Sequence, residues 1–374
     1  MVSRKWRLFG NQTQEQALEC VGGIVWWNQY LVVSCKTSSG QYEVRFFPRE
    51  ANLDNRHMTH VQMISREVLL LNVCGDRLIV YTSARRVTIF AMSLGKAKGS
   101  DHAPVELQVE WDVDLRDYVV HSCNVISVSL NHAGSDAGDV KQLRPSSLIV
   151  NVSGKILMFP FEVSETPDAS TFGPPALLAA GVENYWAWAP TVCAKLERHL
   201  DEALWLGCGG QGMKVWLPLY PEAGLSGEEG LSKRVMLPFS LNIYPLSVLF
   251  SDAVVLGASH DVHHFSAGKF PFYALERKTQ IYLHHILRQL LRRSQDSHAL
   301  QIAQACQGLP YFSHVVELML HEVLEDEASD DLNVASECSS VCLRLLGILE
   351  TTCLVVGVFV VGGFFGGGAA FLGV

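Results

Sequence analysis

The sequence predicts a mainly-β chain that turns helical toward its C-terminal end: β-propeller blades, then the opening helices of an α-solenoid. Three observations predict it. Short apolar runs, each followed by a small or polar turn and an alternating strand, recur from Tyr30 to Phe265. After about Phe270 the apolar spacing changes from two residues to helical. The chain has 374 residues, 48% of them hydrophobic and 18% charged, which is enough apolar material for a substantial core.

The β region is read from five segments that can be laid over one another. They are "YLVVSCKTSSGQYEVRFF" from Tyr30, "LIVYTSARRVTIF" from Leu78, "LIVNVSGKILMF" from Leu148, "LWLGCGGQGMKVW" from Leu204 and "VVLGASHDVHHF" from Val254. Alternation with a turn in the middle is the pattern of a β-hairpin. The copies recur about every 50–70 residues, longer than the ~40–50 of common propeller blades. Polar insertions such as "GKAKGSDHAP" and "NHAGSDAGDVKQ" account for the excess. The expectation is a WD40-like β-propeller, partial or complete, over residues 1–270.

The last copy carries a lure for catalysis: Ser259, His260, Asp261, His263 and His264 in one stretch. Aligned with its sister copy, His260 and Asp261 fall where Gly154 and Lys155 make a turn, and Ser259 falls on Ser153. Consecutive Ser-His-Asp cannot form a triad, whose members converge from separate segments. A metal site needs a third convergent ligand, and none is identifiable. The stretch reads as a structural hairpin.

Gly207, Gly209 and Gly212 satisfy G-x-G-x-x-G, but the run after them is the strand "MKVWLPL", where a dinucleotide site needs a helix. These glycines read as a hairpin turn or bulge. Tyr185, Trp186 and Trp188 read as packing aromatics rather than a stacking platform. The assignment is therefore no catalytic residue, no cofactor-binding residue and no metal ligand.

Residues 271–330 are read as amphipathic helices. Leu283, Ile286, Leu287, Leu290 and Leu291 form one stripe, flanked by His284, His285, Arg288 and Arg292. Adjacent helix positions diverge by about 100 degrees, so the His pair is expected on a partly exposed face rather than as a ligand set. Asp296 or Ser297 is the expected N-cap of a second helix, with Gly308 as its stop. Pro310 opens a third, whose apolar face is Phe312, Val315, Val316, Met319, Leu320 and Val323. His321-Glu322 begins like H-E-x-x-H, but position 325 is Glu. Helices in series predict an α-solenoid.

Residues 331–374 read as a divergent tail. Cys353 to Val374 carries no charge and is long enough to span a bilayer. Its seven glycines and the lack of a Trp, Tyr or Lys anchor at its far end favour a foreign tail over a membrane anchor.

The net charge of −9 argues against a nucleic-acid binder, which shows a basic face. The ten cysteines include no C-x-x-C pair, and most sit in apolar runs, so buried, reduced thiols of a cytosolic protein are expected. No apolar stretch follows the basic residues of "MVSRKWRLFG", so it is not a signal peptide. The sequons at Asn11 and Asn151 are then chance matches.

Six segments carry a family resemblance: "KWRLFGNQTQEQ", "GGIVWWN", "HLDEALWLGCGGQGMKVWLPLYP", "VMLPFSLNIYPLSVLF", "QIYLHHILRQLLRR" and "LPYFSHVVELMLHEVLEDEA". From about Arg4 to Ala328 the chain resembles the ribosome control protein family, in the second propeller and first helices of longer members. After Ala328 the resemblance stops. It implies the large subunit of a guanine nucleotide exchange factor complex, without a chemical active site, that activates a Rab-family GTPase in endosome-to-Golgi retrograde transport. The implied partners are a smaller arrestin-like subunit and the GTPase, and the implied location is the cytosol and, peripherally, the Golgi membrane. Two rival expectations stand beside it: a propeller–solenoid trafficking scaffold, and an inactive truncated isoform.

Overall fold

The computed structural model describes residues 19–49, 57–95, 103–132, 145–162, 171–187, 203–219, 233–250, 252–263 and 272–328. The predicted tail, His264, Phe265 and Trp188 lie outside them. The chain divides into two compact units, one of Met1–Val182 with Ala189–Val192, the other of Glu183–Trp188 with Cys193–Val374.

The first unit holds three antiparallel, propeller-like sheets. The first is β1 (Glu19–Trp27), β2 (Tyr30–Lys36), β3 (Tyr42–Pro48) and β4 (His60–Ile64), paired in that order. The second is β5 (Val68–Cys74), β6 (Arg77–Thr82), β7 (Arg86–Leu94) and β8 (Val105–Asp114). The third runs β9 (Val125–His132), β10 (Pro145–Val152), β11 (Lys155–Glu162), β12 (Thr171–Phe172), with β13 (Ala176–Ala179) also on β11.

The repeated apolar triplets have a direct cause. Successive residues of a strand point to opposite faces. In β6, Leu78 and Val80 enter one core with Val32, Phe46 and Phe90, while Ile79 and Tyr81 enter another with Val128, Leu148 and Val150. A sheet buried on both faces needs apolar residues in sequence rather than in alternation. Each such side chain, fully buried, contributes about 1.5–3 kcal/mol. The β10–β11 turn is equally local. Ser153 and Gly154 both have positive φ, at 50° and 84°, between the pair Val152 and Lys155. That is the conformation two-residue hairpins require. Asn151 accepts the Gly154 N–H at 2.9 Å and is fully buried, which removes its sequon from any surface.

The second unit holds two sheets and three helices. One sheet is β14 (Asn184–Ala187), β15 (Leu204–Gly207), β16 (Met213–Leu219) and β17 (Lys233–Phe239). The other is β18 (Tyr244–Leu249), β19 (Val254–His263) and β20 (Phe272–Ile281). The helices are α1 (Leu283–Leu291), α2 (Asp296–Ala305) and α3 (Phe312–Ala328). Their apolar faces join the sheets in one core: Trp205, Val215 and Phe239 pack with Tyr282, Ile286, Leu290, Ile302 and Val315.

Four sequence readings are corrected here. His260 and Asp261 do not turn a hairpin; they lie inside β19, opposite Leu275 and Ala274 of β20. Ten consecutive pairs, Val254–Ile281 to His263–Phe272, outweigh the turn preference of the residues. Residues 272–281, read as helical, form β20. Leu275 through Thr279 are exposed there, so the strand lacks the apolar alternation that marks a half-buried one. Asp296 is the first residue of α2, not its cap; Gln295 is the cap and makes no side-chain capping bond. His284, expected on a partly exposed face, is buried, because α1 is covered on that side by its neighbours. Among the described residues no helix is long and apolar enough to cross a membrane.

Candidate functional site

The fold sets the residues that suggested chemistry on β19, in the β15–β16 turn and on α1. Ser259 pairs with Glu276 in the β19–β20 ladder, and its hydroxyl is buried without a hydrogen-bond partner among the described residues. Among the described residues Ser259 therefore makes no nucleophile–base bond. Among the described residues no group of three or more His, Cys, Asp and Glu is placed to hold a metal.

The glycine loop joins two antiparallel strands, β15 and β16, through a short 3-10 turn at Gly209–Gln211. Its amides serve its own carbonyls. The Cys208 N–H bonds Gly212 O at 2.9 Å, the Gln211 N–H bonds Cys208 O at 3.1 Å, and the Gly212 N–H bonds Gly209 O at 3.1 Å. A phosphate cradle needs such N–H groups free. A carboxylate also stands at the loop: a Cβ on Gly209 would lie 2.2 Å from Glu183 Oε1. Glu183 accepts the Tyr244 hydroxyl proton at 2.6 Å, which raises the Tyr244 pKa. A fixed negative charge there opposes an anion. Tyr185 and Trp186 lie on β14, and Trp186 packs half-buried against the core; its ring limits the space at Gly207 to 3.1 Å.

The helical His pair sits where strands meet α1. His285 stacks on Phe239, with centroids 5.2 Å apart and planes at 12°, and His284 and His285 are 3.9 Å apart. Burial first, then His285, His314 and Arg288, pushes the His284 pKa down to about 4. His285 is lowered by burial and by Arg288. Burial disfavours the charged form of both rings, which act as packing groups. Nearby, the Tyr282 hydroxyl and Trp205 Nε1 are buried without hydrogen-bond partners among the described residues, and burial drives the Tyr282 pKa well above its ordinary value.

What the structure offers instead is surface. In the first unit a cleft of about 210 Å³ opens between β5 and β9, lined by Leu70, Leu71, Asn72, Tyr81, Ile126 and Val128 among others. Asn72 closes one side, donating to Val128 O at 2.8 Å. The neighbouring loop is braced by Arg85, whose Nη1 donates to Val119 O at 3.0 Å and Val120 O at 3.1 Å. On this stretch Val120 is 74% exposed, Ile126 53% and Tyr118 44%. Exposed apolar side chains held on a braced loop suit contact with protein better than catalysis on a small molecule. Sequence reading missed these residues because a strand pattern does not say which apolar position is left uncovered.

Comparison with known proteins places most of the chain. Residues 1–278 match the RIC1 second beta propeller domain, and residues 284–358 match the RIC1 C-terminal alpha solenoid region. The solenoid match corrects the reading that the resemblance ends at Ala328; the leucine-rich stretch Val341–Leu349 belongs to the matched region. The chain is 41% identical over 361 residues to human "Guanine nucleotide exchange factor subunit RIC1" and 42% identical over 360 residues to the mouse protein of that name. It is 27% identical over 387 residues to "Guanine nucleotide exchange factor subunit R06F6.8" of Caenorhabditis elegans. Each alignment covers 88% of this chain, and the chain spans about a quarter of the length of these relatives. With propeller-like blades and helices matched in order, this chain belongs to the RIC1 family.

Proposed function

We propose that this chain works within the large subunit of a guanine nucleotide exchange factor, together with a smaller arrestin-like subunit. Its target is a Golgi Rab-family GTPase, its process is endosome-to-Golgi retrograde transport, and its location is the cytosol and the Golgi membrane surface. The observation that carries this reading is the match to relatives named as exchange-factor subunits across both blades and helices.

An exchange factor of this kind transfers no atoms. It binds the nucleotide-free GTPase more tightly than the GDP-bound form, and that difference opens the switch loops around phosphate and Mg²⁺. The demand on the protein is rigid surface. Twin-faced sheets with fully buried Leu78, Ile79, Leu148 and Ile149 supply rigidity, and the braced loop with Tyr118 and Val120 supplies exposed contact area.

The test is competition. The isolated chain is added to the intact two-subunit factor while release of fluorescent GDP from the GTPase is followed. A chain that keeps part of the native interface slows release in proportion to its concentration. Release unchanged at a large excess of correctly folded chain counts against the reading.

A further inference from the structure

We infer that Cys20 and Cys35 are a redox pair that closes into a reversible cross-strand disulfide when the protein meets a peroxide. The two residues are direct partners in the antiparallel β1–β2 ladder. Directly opposed residues in such a ladder have Cα atoms about 4.5 or 5.5 Å apart. Both separations fall inside the ~4.4–6.8 Å range that disulfides use. Side chains of opposed residues share a face, and each thiolate would feel the other's charge. Among the described residues this is the one place where two cysteines face each other in a ladder.

The local backbone holds the pair in place. The register jumps from Cys20–Cys35 to Ile24–Val33, so Val21, Gly22 and Gly23 bulge opposite Ser34. The Ser34 hydroxyl donates to Val21 O and, at 3.3 Å, to Gly23 O, pinning the bulge. Gly22, at φ 72°, meets Val68 O so closely that a Cβ would lie 2.6 Å away. Bulges at sheet edges re-aim side chains; here the bulge leaves Cys20 exposed while Cys35 stays buried.

The division of labour follows from access. Cys20 is the sulfur a peroxide can reach. Its thiolate attacks one peroxide oxygen, the O–O bond breaks, and water leaves with Cys20 as a sulfenic acid. The Cys35 thiolate then attacks Cys20 Sγ, the S–O bond breaks, and a second water leaves. Two thiols and one hydrogen peroxide give one disulfide and two waters. Burial pushes the Cys35 thiol up to about 11, and Arg45 opposes that rise. Burial raises the Cys20 thiol as well, so both steps draw on a small thiolate fraction and the bond staples β1 to β2 only under sustained oxidant.

The folded chain is treated with hydrogen peroxide, its remaining free thiols are alkylated, and it is digested with trypsin. Arg7 and Lys36 bound a peptide of residues 8–36 that contains both cysteines. The expected product is that peptide, unalkylated and lighter by two hydrogens, restored to two alkylation sites by dithiothreitol. Cys20→Ser, at an exposed position, is expected to fold and to leave Cys35 reduced at the same dose. Alkylation of both cysteines after peroxide, a sulfinic acid at Cys20 beside a free Cys35, a disulfide-linked dimer, or oxidation of Cys35 in Cys20→Ser overturns the inference.

Discussion

Gly212 and Gly210 lie two residues apart in one loop and meet different demands. Gly212 has φ 84°, and a Cβ there would lie 2.5 Å from Phe239 O, whereas a Cβ on Gly210 meets nothing within 4 Å. Gly212→Ala is expected to cost about 1–3 kcal/mol through strain and backbone clash. Gly210→Ala is expected to stay within about 0.5 kcal/mol. Urea unfolding midpoints of the two variants check the contrast, and equal shifts contradict it. The histidines set a pH window. Burial holds His132, with Arg77 nearby, and His284 at about 4 against an ordinary 6.5. The unfolded chain binds protons that the folded chain refuses, so stability is full above pH 6.5 and falls as pH drops toward 4. At 1.36 kcal/mol per unit, each ring accounts for at most about 3 kcal/mol. Urea midpoints at pH 7 and pH 5 should differ, and His284→Gln should narrow the gap in its own unit. An unchanged gap in that variant removes His284 from the account.

At the scale of elements, α1 is the join between blade and solenoid in the second unit. Ile286 and Leu287 are fully buried and share a core with Trp205 and Val215. Ile286→Ala is expected to cost about 2–5 kcal/mol. Leu275→Ser, at a β20 position 76% exposed, is expected to change stability by about 0.5 kcal/mol or less. Chemical denaturation of both variants separates them, and a small loss at Ile286 would show that the helices do not support the sheets. The stripe Leu283, Ile286, Leu287, Leu290 and Leu291 was legible because helical spacing and burial coincide on one face. The four earlier hairpins were legible because triplets such as "LIV" reflect sheets buried on both faces. The β19–β20 pairing was not, because the partner strand over ten residues comes from another segment. β20 itself was not, because its exposed middle imposes no apolar pattern. For the candidate surface, the sequence marks Tyr118, Val120 and Ile126 as apolar, but only the fold shows which of them face solvent.

At the scale of the whole molecule, the proposed function depends on area rather than on a reactive group. Stable protein interfaces bury about 1,600 Å² in total, and an opened GTPase needs a surface of at least that order. The chain spans about a quarter of its relatives' length, so exchange activity on its own is not expected. Fluorescent-GDP release with the isolated chain should match the uncatalysed rate, and release near the rate of the full two-subunit factor would place the exchange surface within this chain. The claim that this is exchange-factor surface has a sharper test in nucleotide preference. The immobilised chain, with the small arrestin-like subunit present, is titrated with the GTPase in its nucleotide-free, GDP-bound and GTP-bound forms. The account predicts capture of the small subunit and a nucleotide-free complex at least about tenfold tighter than the GDP complex, a difference of about 1.4 kcal/mol. Tightest binding to the GTP-bound form, the behaviour of a trafficking scaffold, or equal binding to all three forms would contradict it.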